Sequence, residues 1–301
     1  MSRSNTIAAT SDEQSLNQAA YLERLAARSA ATGTVLCLGI DPDPAALPDG
    51  FSADLAGIER FARILIEAAG PHAAAIKPNL AFFEAFGSAG LAVLERVRAG
   101  IPDDLPVVID AKRGDIGSTA ARQAVALFDG LGADAVTVSP YLGEEAIAPL
   151  LERTDRFAYV LCRTSNPGAA EFQDLAVGDQ GGGPAEPLYL RVASRVSAWG
   201  PGGTVGLVVG ATAPAELKAV RNVAPSLPFL VPGVGAQGGD VAAVIDAGGA
   251  ASGAASDRPG RGLLVNVSRG IASAALEAGT DPEQAVEAAA RDWAARLPVL
   301  P

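Results

Sequence analysis

Histidine, cysteine and lysine are scarce in this 301-residue chain, which carries one His, two Cys and three Lys. The single histidine, His72, excludes a multi-His metal site and leaves a Ser-His-Asp triad only one place to form. The cysteines, Cys37 and Cys162, sit in separate apolar runs, the usual setting of buried free thiols, with a disulfide as the alternative. No stretch supplies the ~20 consecutive apolar residues that span a bilayer, and the polar N-terminus has no run resembling a signal peptide. A cytoplasmic protein is expected. Positive charge is also in short supply: the net charge of −11 argues against nucleic-acid or anionic-membrane partners.

What is present is a repeating unit of apolar run, turn and helical pattern. Strands are predicted at Thr34–Ile40, Ala73–Lys77, Pro106–Ala111, Ala133–Ser139, Phe157–Arg163, Thr204–Gly210, Pro228–Pro232 and Gly262–Val267. Each is rich in Val, Ile, Leu and Ala, as parallel strands covered on both faces are. Helical stretches lie between them, among them Asp54–Ala69, Ala81–Ala99, Thr119–Leu131, Glu186–Ala198 and Pro214–Asn222. Eight such units fit an α/β fold, a single (β/α)8 TIM barrel with an extra N-terminal helix, filling residues 1–301 as one domain. A doubly wound open sheet is the competing fold. Residues 1–15 are expected to be disordered, and the connections Asn166–Pro187 and Ala247–Arg261 are long enough to be lids or insertions.

In such a barrel the chemistry gathers at the C-terminal ends of the strands. The first strand runs into Asp41-Pro42, the second into Lys77-Pro78-Asn79, and the third into Asp110-Ala111-Lys112-Arg113-Gly114-Asp115. Residues two apart on a strand share a face, so Asp110 and Lys112 point together into the mouth, beside Lys77 on the next strand. A carboxylate keeps a neighbouring ammonium charged, and a fixed ammonium can stabilise a carbanion and then protonate it. A structural ion pair is the alternative.

The seventh strand leads into Pro232-Gly233-Val234-Gly235-Ala236-Gln237-Gly238-Gly239, and the eighth into Asn266-Val267-Ser268-Arg269-Gly270. The G-x-G-x-x-G match is a weak dinucleotide signal, and its place after the seventh strand favours phosphate binding, with Arg269 as a bidentate partner. Ser165, after the fifth strand, could read a ring edge or merely cap its turn. His72 falls at the opposite end of the barrel, a structural position. Tyr141 and the Phe82-Phe83 pair are expected to pack in the core.

Asp110-Ala-Lys112-Arg-Gly-Asp115-Ile116 resembles the D-x-K-x-x-D signature of the orotidine-5′-phosphate decarboxylase family. Gly39-Ile-Asp-Pro42, Lys77-Pro-Asn79, Ser165-Asn-Pro-Gly168, Pro232 to Gly239 and Val265-Asn-Val-Ser-Arg269 resemble its longer bacterial subgroup. The resemblance implies cofactor-free and metal-free decarboxylation of orotidine 5′-phosphate to UMP. It implies Lys112 as proton donor, Asp110 facing the substrate carboxylate, and Lys77 and Asp41 at the ribose. Asp115 and Thr119 would act in the partner's site of a homodimer. Ser165 would meet the pyrimidine, and Gln237 and Arg269 the phosphate, with Pro232, Gly238 and Ser268 completing the substrate-binding set.

Sister enzymes with the same signature use Mg²⁺ and carry an acidic residue at the end of the second strand, where this chain has Lys77. A non-catalytic phosphate-binding barrel would have lost a catalytic position, and none is missing. A NAD-binding protein would carry its glycine loop after the first strand.

Overall fold

The computed structural model describes residues 20–178, 184–235, 237–276 and 281–301. Eight parallel strands form one sheet: β1 Leu36–Ile40, β2 Ala75–Pro78, β3 Val108–Arg113, β4 Ala135–Val138, β5 Phe157–Arg163, β6 Val205–Val209, β7 Phe229–Pro232 and β8 Leu263–Val267. Their order is β2-β1-β8-β7-β6-β5-β4-β3. Parallel bridges Ile76↔Val107 and Asn79↔Asp110 join its two ends, closing the eight-stranded barrel in sequential order. All eight predicted strands are present, with no end displaced by more than two residues. Residues 1–15, expected to be disordered, lie outside the described residues.

Burial of both strand faces explains the runs: all five residues of β1, β6 and β8 are buried. The outer layer is made of α2 Leu55–Ala69, α3 Ala81–Glu84, α4 Gly87–Ala99, α5 Gly117–Ala124, α6 Ala148–Leu151, α7 Leu188–Val196, α8 Pro214–Val223, α9 Val241–Ala247, α10 Arg269–Ala272 and α11 Pro282–Arg296. Asp54 caps α2 through the amide of Gly57, and Ile58, Phe61, Ala62, Leu65 and Ile66 turn inward along one stripe.

The expected N-terminal helix is α1, Tyr21–Thr32. It covers the N-terminal end of the barrel, opposite the strand ends that carry the polar residues. Tyr21 meets Tyr159 hydroxyl to hydroxyl at 3.1 Å, Arg24 pairs with Asp134, and Arg28 donates to the carbonyls of Gly70 and Ala73. His72 lies at this end beside Glu287, 3.6 Å away.

Several local expectations need correction. The predicted helix 81–99 is two helices, because the chain turns at Gly87 (φ +60) and a Cβ on Gly90 would meet the Phe83 carbonyl at 1.9 Å. The stretch 119–131 begins two residues earlier and ends as one π-helical turn, Val125–Gly130. Within the long 166–187 connection, Ala176–Val177 pairs with Glu186–Pro187 in a two-residue antiparallel ladder. Phe83 is core as expected, but Tyr141 is 89% exposed, at the barrel mouth in the loop after β4. Cys37 and Cys162 are free and buried.

Candidate active site

The C-terminal ends of β2 and β3 place three charged groups in contact. Lys77 Nζ lies 2.9 Å from Asp110 Oδ2, and Lys112 Nζ lies 2.6 Å from Asp110 Oδ1. Lys77 is almost wholly buried, whereas the Lys112 side chain is half-exposed and opens into the cleft above. Burial acts against the charged form of Asp110, but the two ammonium groups outweigh it and hold the carboxyl well below the usual carboxylate range. Burial likewise disfavours the Lys77 ammonium, and Asp110 with Asp41 more than offsets this, raising its pKa. Beneath them, burial pushes the Cys37 thiol up to about 12, leaving it neutral and inert.

Simple alternation along β3 does not bring Lys112 to Asp110. The pairing with β4 jumps from Ile109↔Val136 to Arg113↔Val138, so four residues of β3 advance against two of β4. Within this bulge Lys112 takes a left-handed conformation, φ +48, which costs a non-glycine residue about 1–2 kcal/mol. The strain folds Lys112 back over Asp110. Thr137, on β4, fills the gap: its Oγ1 donates to Asp110 Oδ1 at 2.8 Å and accepts the amides of Ala111 and Lys112, each at 3.0 Å.

A cleft of about 280 Å³ rises from this floor. Asp41, Lys77, Asp110 and Lys112 line one side; Ser165, Pro232, Gln237, Ser268 and Arg269 line the other. Ser165 donates its hydroxyl to Gln237 Oε1 at 3.1 Å, linking the loops after β5 and β7. Arg269 heads α10 and is exposed. Gly39 lets β1 approach β8 here, since a Cβ would fall 2.7 Å from that of Ser268. The carboxylate oxygen Asp41 Oδ1 and the amide oxygen Asn266 Oδ1, both buried, have no hydrogen-bond partner among the described residues. Two unfilled acceptors on neighbouring strands suit the hydroxyl donors of a polar ligand.

Three of the expected site residues lie elsewhere. Gly238 does not line the cleft, and its amide donates to the Gly235 carbonyl at 2.8 Å, holding the loop's own turn. Asp115 and Thr119 are also outside it. Asp115 Oδ1 accepts the amide of Ile116, while Thr119 is exposed on α5. Residue 236, also in the glycine loop, lies outside the described residues.

The cleft combines an alternating row of carboxylates and ammonium groups with an arginine on the far rim. Such a floor can stabilise negative charge developing on a ligand atom and pass it a proton from the half-exposed Lys112. Residues 34–289 match the family described as "Orotidine 5'-phosphate decarboxylase / HUMPS family". The chain belongs to this family. Among its members, a protein named orotidine 5′-phosphate decarboxylase from Thermomicrobium roseum is 50% identical over 252 residues, covering 83% of this chain and 86% of the relative. One of the same name from Halorubrum lacusprofundi is 46% identical over 283 residues, covering 92% and 96%. The solved structure of Leishmania donovani OMP decarboxylase superposes with a TM-score of 0.76 at 40% identity, covering 92% of this chain and 96% of that one.

Thr137 and Asn266 escaped the sequence reading as site residues. The signal for both is a polar side chain inside an otherwise apolar, doubly buried strand, which needs a partner or a ligand to offset its burial.

Proposed function

We propose that this protein converts orotidine 5′-phosphate to UMP and carbon dioxide, the last step of de novo pyrimidine synthesis, with neither metal nor organic cofactor. The observation that carries this reading is one carboxylate, Asp110, shared by a buried lysine and a half-exposed one at the floor of a polar cleft. The bond from C6 to the carboxylate breaks, its electron pair stays on C6, and carbon dioxide leaves. The Lys112 ammonium gives C6 its proton and regains one from solvent. Asp110 holds Lys112 and faces the departing carboxylate. Lys77 and Asp41 meet the ribose hydroxyls, with the unfilled acceptor of Asp41 available to them. Ser165 reads the pyrimidine edge; Gln237 and Arg269 hold the phosphate, flanked by Pro232 and Ser268. Gly238 supports that loop through its turn. The phosphate is remote from the breaking bond, so its binding energy can serve to desolvate and orient the ring.

Within the family, the Mg²⁺-dependent sister activities are disfavoured by Lys77, whose ammonium lies against Asp110 and would repel a divalent ion. A homodimer with shared sites accounts for Asp115 and Thr119, which serve no purpose in their own cleft. Beside them lie exposed apolar side chains, Ile116 at 60%, Tyr141 at 89% and Leu142 at 52%, on two loops linked by the Asp115 amide and the Ala146 carbonyl. Two free thiols fit a reducing cytoplasm.

The test is the absorbance decay of orotidine 5′-phosphate with purified protein in excess EDTA. Stoichiometric UMP supports the reading. No turnover in EDTA, with turnover of a sugar phosphate on adding Mg²⁺, replaces it with the sister activity.

A further inference from the structure

We propose that Thr137 is a positioning residue for the chemical step: its hydroxyl locks the Asp110 carboxylate and the left-handed Lys112 backbone into one rigid unit that aims the ammonium. The inference rests on the reading of Lys112 as proton donor.

A threonine hydroxyl has one hydrogen to give and two lone pairs to fill. Here all three are used, and all on three consecutive residues of β3. The hydrogen goes to Asp110 Oδ1, and the lone pairs take the amides of Ala111 and Lys112. Those amides fall inside the bulge, where β4 offers no backbone partner between Val136 and Val138. A regular strand would need no such acceptor; a bulged one next to a charge cluster does.

The consequence for Asp110 is a carboxylate held from both sides. Lys77 fixes Oδ2, while Thr137 and Lys112 fix Oδ1. Lys112 is flexible and half-exposed, so of the two groups on Oδ1 only Thr137, 2% exposed, is a rigid anchor. Rotation of the carboxylate would carry the Lys112 ammonium with it. A misplacement of about 1 Å at a reacting centre costs on the order of 100-fold in rate. None of the hydrogen bonds of Thr137 reaches Ser165, Gln237 or Arg269, so the ring-edge and phosphate contacts are set elsewhere.

The decisive variants are Thr137→Val, which keeps the shape and removes the hydroxyl, and Thr137→Ser, which keeps the hydroxyl. Thr137→Val should lower kcat by about 100-fold while KM and the Kd for UMP stay within about 3-fold, and Thr137→Ser should stay within about 5-fold of the parent in kcat. If Thr137→Val does not fold, Thr137→Cys takes its place under the same criteria. A kcat within about 3-fold of the parent for the hydroxyl-free variant would overturn the proposal. So would parallel loss of kcat and UMP affinity that Thr137→Ser fails to rescue, which marks a purely structural residue.

A second readout is independent of turnover. With only three lysines in the chain, reductive ¹³C-methylation gives resolved NMR signals for the accessible Lys112 and Lys218. Thr137→Val should shift the methyl resonance of Lys112 and leave that of Lys218 unchanged. If the parent protein fails to decarboxylate orotidine 5′-phosphate but the Lys112 signal responds, the functional reading falls and the coupling stands. An unmoved Lys112 signal removes the coupling itself.

Discussion

Lys77 Nζ and Asp110 Oδ2 are 2.9 Å apart, and both side chains are almost entirely shielded from water. An ion pair so placed is costly to build and more costly to break, because removing one member leaves the other charged and alone. Asp110→Asn should therefore destabilise the fold by about 3–5 kcal/mol, measured by chemical denaturation, with Lys112→Ala as the milder control.

The pH behaviour of the pair follows from the directions of its shifts. Asp110 titrates below its unfolded value of ~3.9, so the stability it contributes is complete above about pH 4 and is lost as pH falls through the folded value. Lys77 titrates above its unfolded value of ~10.4, so its contribution is complete below about pH 10 and is lost as pH rises through the folded value. Neither group should contribute a limb to the kcat profile between about pH 5 and 9. A limb in that window that vanishes in Asp110→Asn would show the pair to be less strongly coupled than its geometry demands.

Lys112 differs from Lys77 in being half-exposed. Its loss leaves Asp110 still paired with Lys77, so Lys112→Ala should keep the fold within about 1 kcal/mol. Turnover should fall by at least 10²–10⁴-fold, the usual worth of a positioned proton donor. UMP binding by calorimetry, retained alongside that loss, separates chemistry from affinity.

The barrel was legible because its eight strands are buried on both faces and therefore read as apolar runs, and because their C-terminal ends carry nearly all the polar residues of the cleft. Asp110 and Lys112 could be paired from spacing, but by a regular alternation that the bulge replaces. The bulge was not legible, since it depends on a hydroxyl supplied by another strand, Thr137, and on strain at Lys112 that no local propensity encodes. Gly238 is a related case: a glycine that gives a turn its positive φ, here +76, looks the same in sequence as one that clears space for a phosphate. Tyr141 misled because aromatic rings usually pack inside, whereas a subunit interface would leave one exposed in the single chain.

Arg269 stands on the cleft rim with no acid partner among the described contacts of its side chain, and is available to an anion. Arg269→Ala should weaken UMP binding by about 1.5–3 kcal/mol, the range for hydrogen bonds to a charged group, and leave uridine binding unchanged. Equal losses for nucleotide and nucleoside in calorimetry would take the phosphate away from Arg269.

Asp115 and Thr119 do not line the cleft of their own chain, and a two-fold dimer could bring them to the partner's cleft. Asp115→Ala and Lys112→Ala should then each be inactive alone and regain activity when mixed. In a hybrid dimer one site lacks both side chains, while the other has its own Lys112 and the partner's Asp115. If subunits exchange freely and in equal amounts, half the dimers are hybrids with one intact site of two, so about a quarter of the parent activity should return. Recovery that grows with exchange time, followed against subunit mixing by mass spectrometry of labelled chains, establishes the shared site. Complete mixing with no recovery places Asp115 outside the chemistry of either subunit.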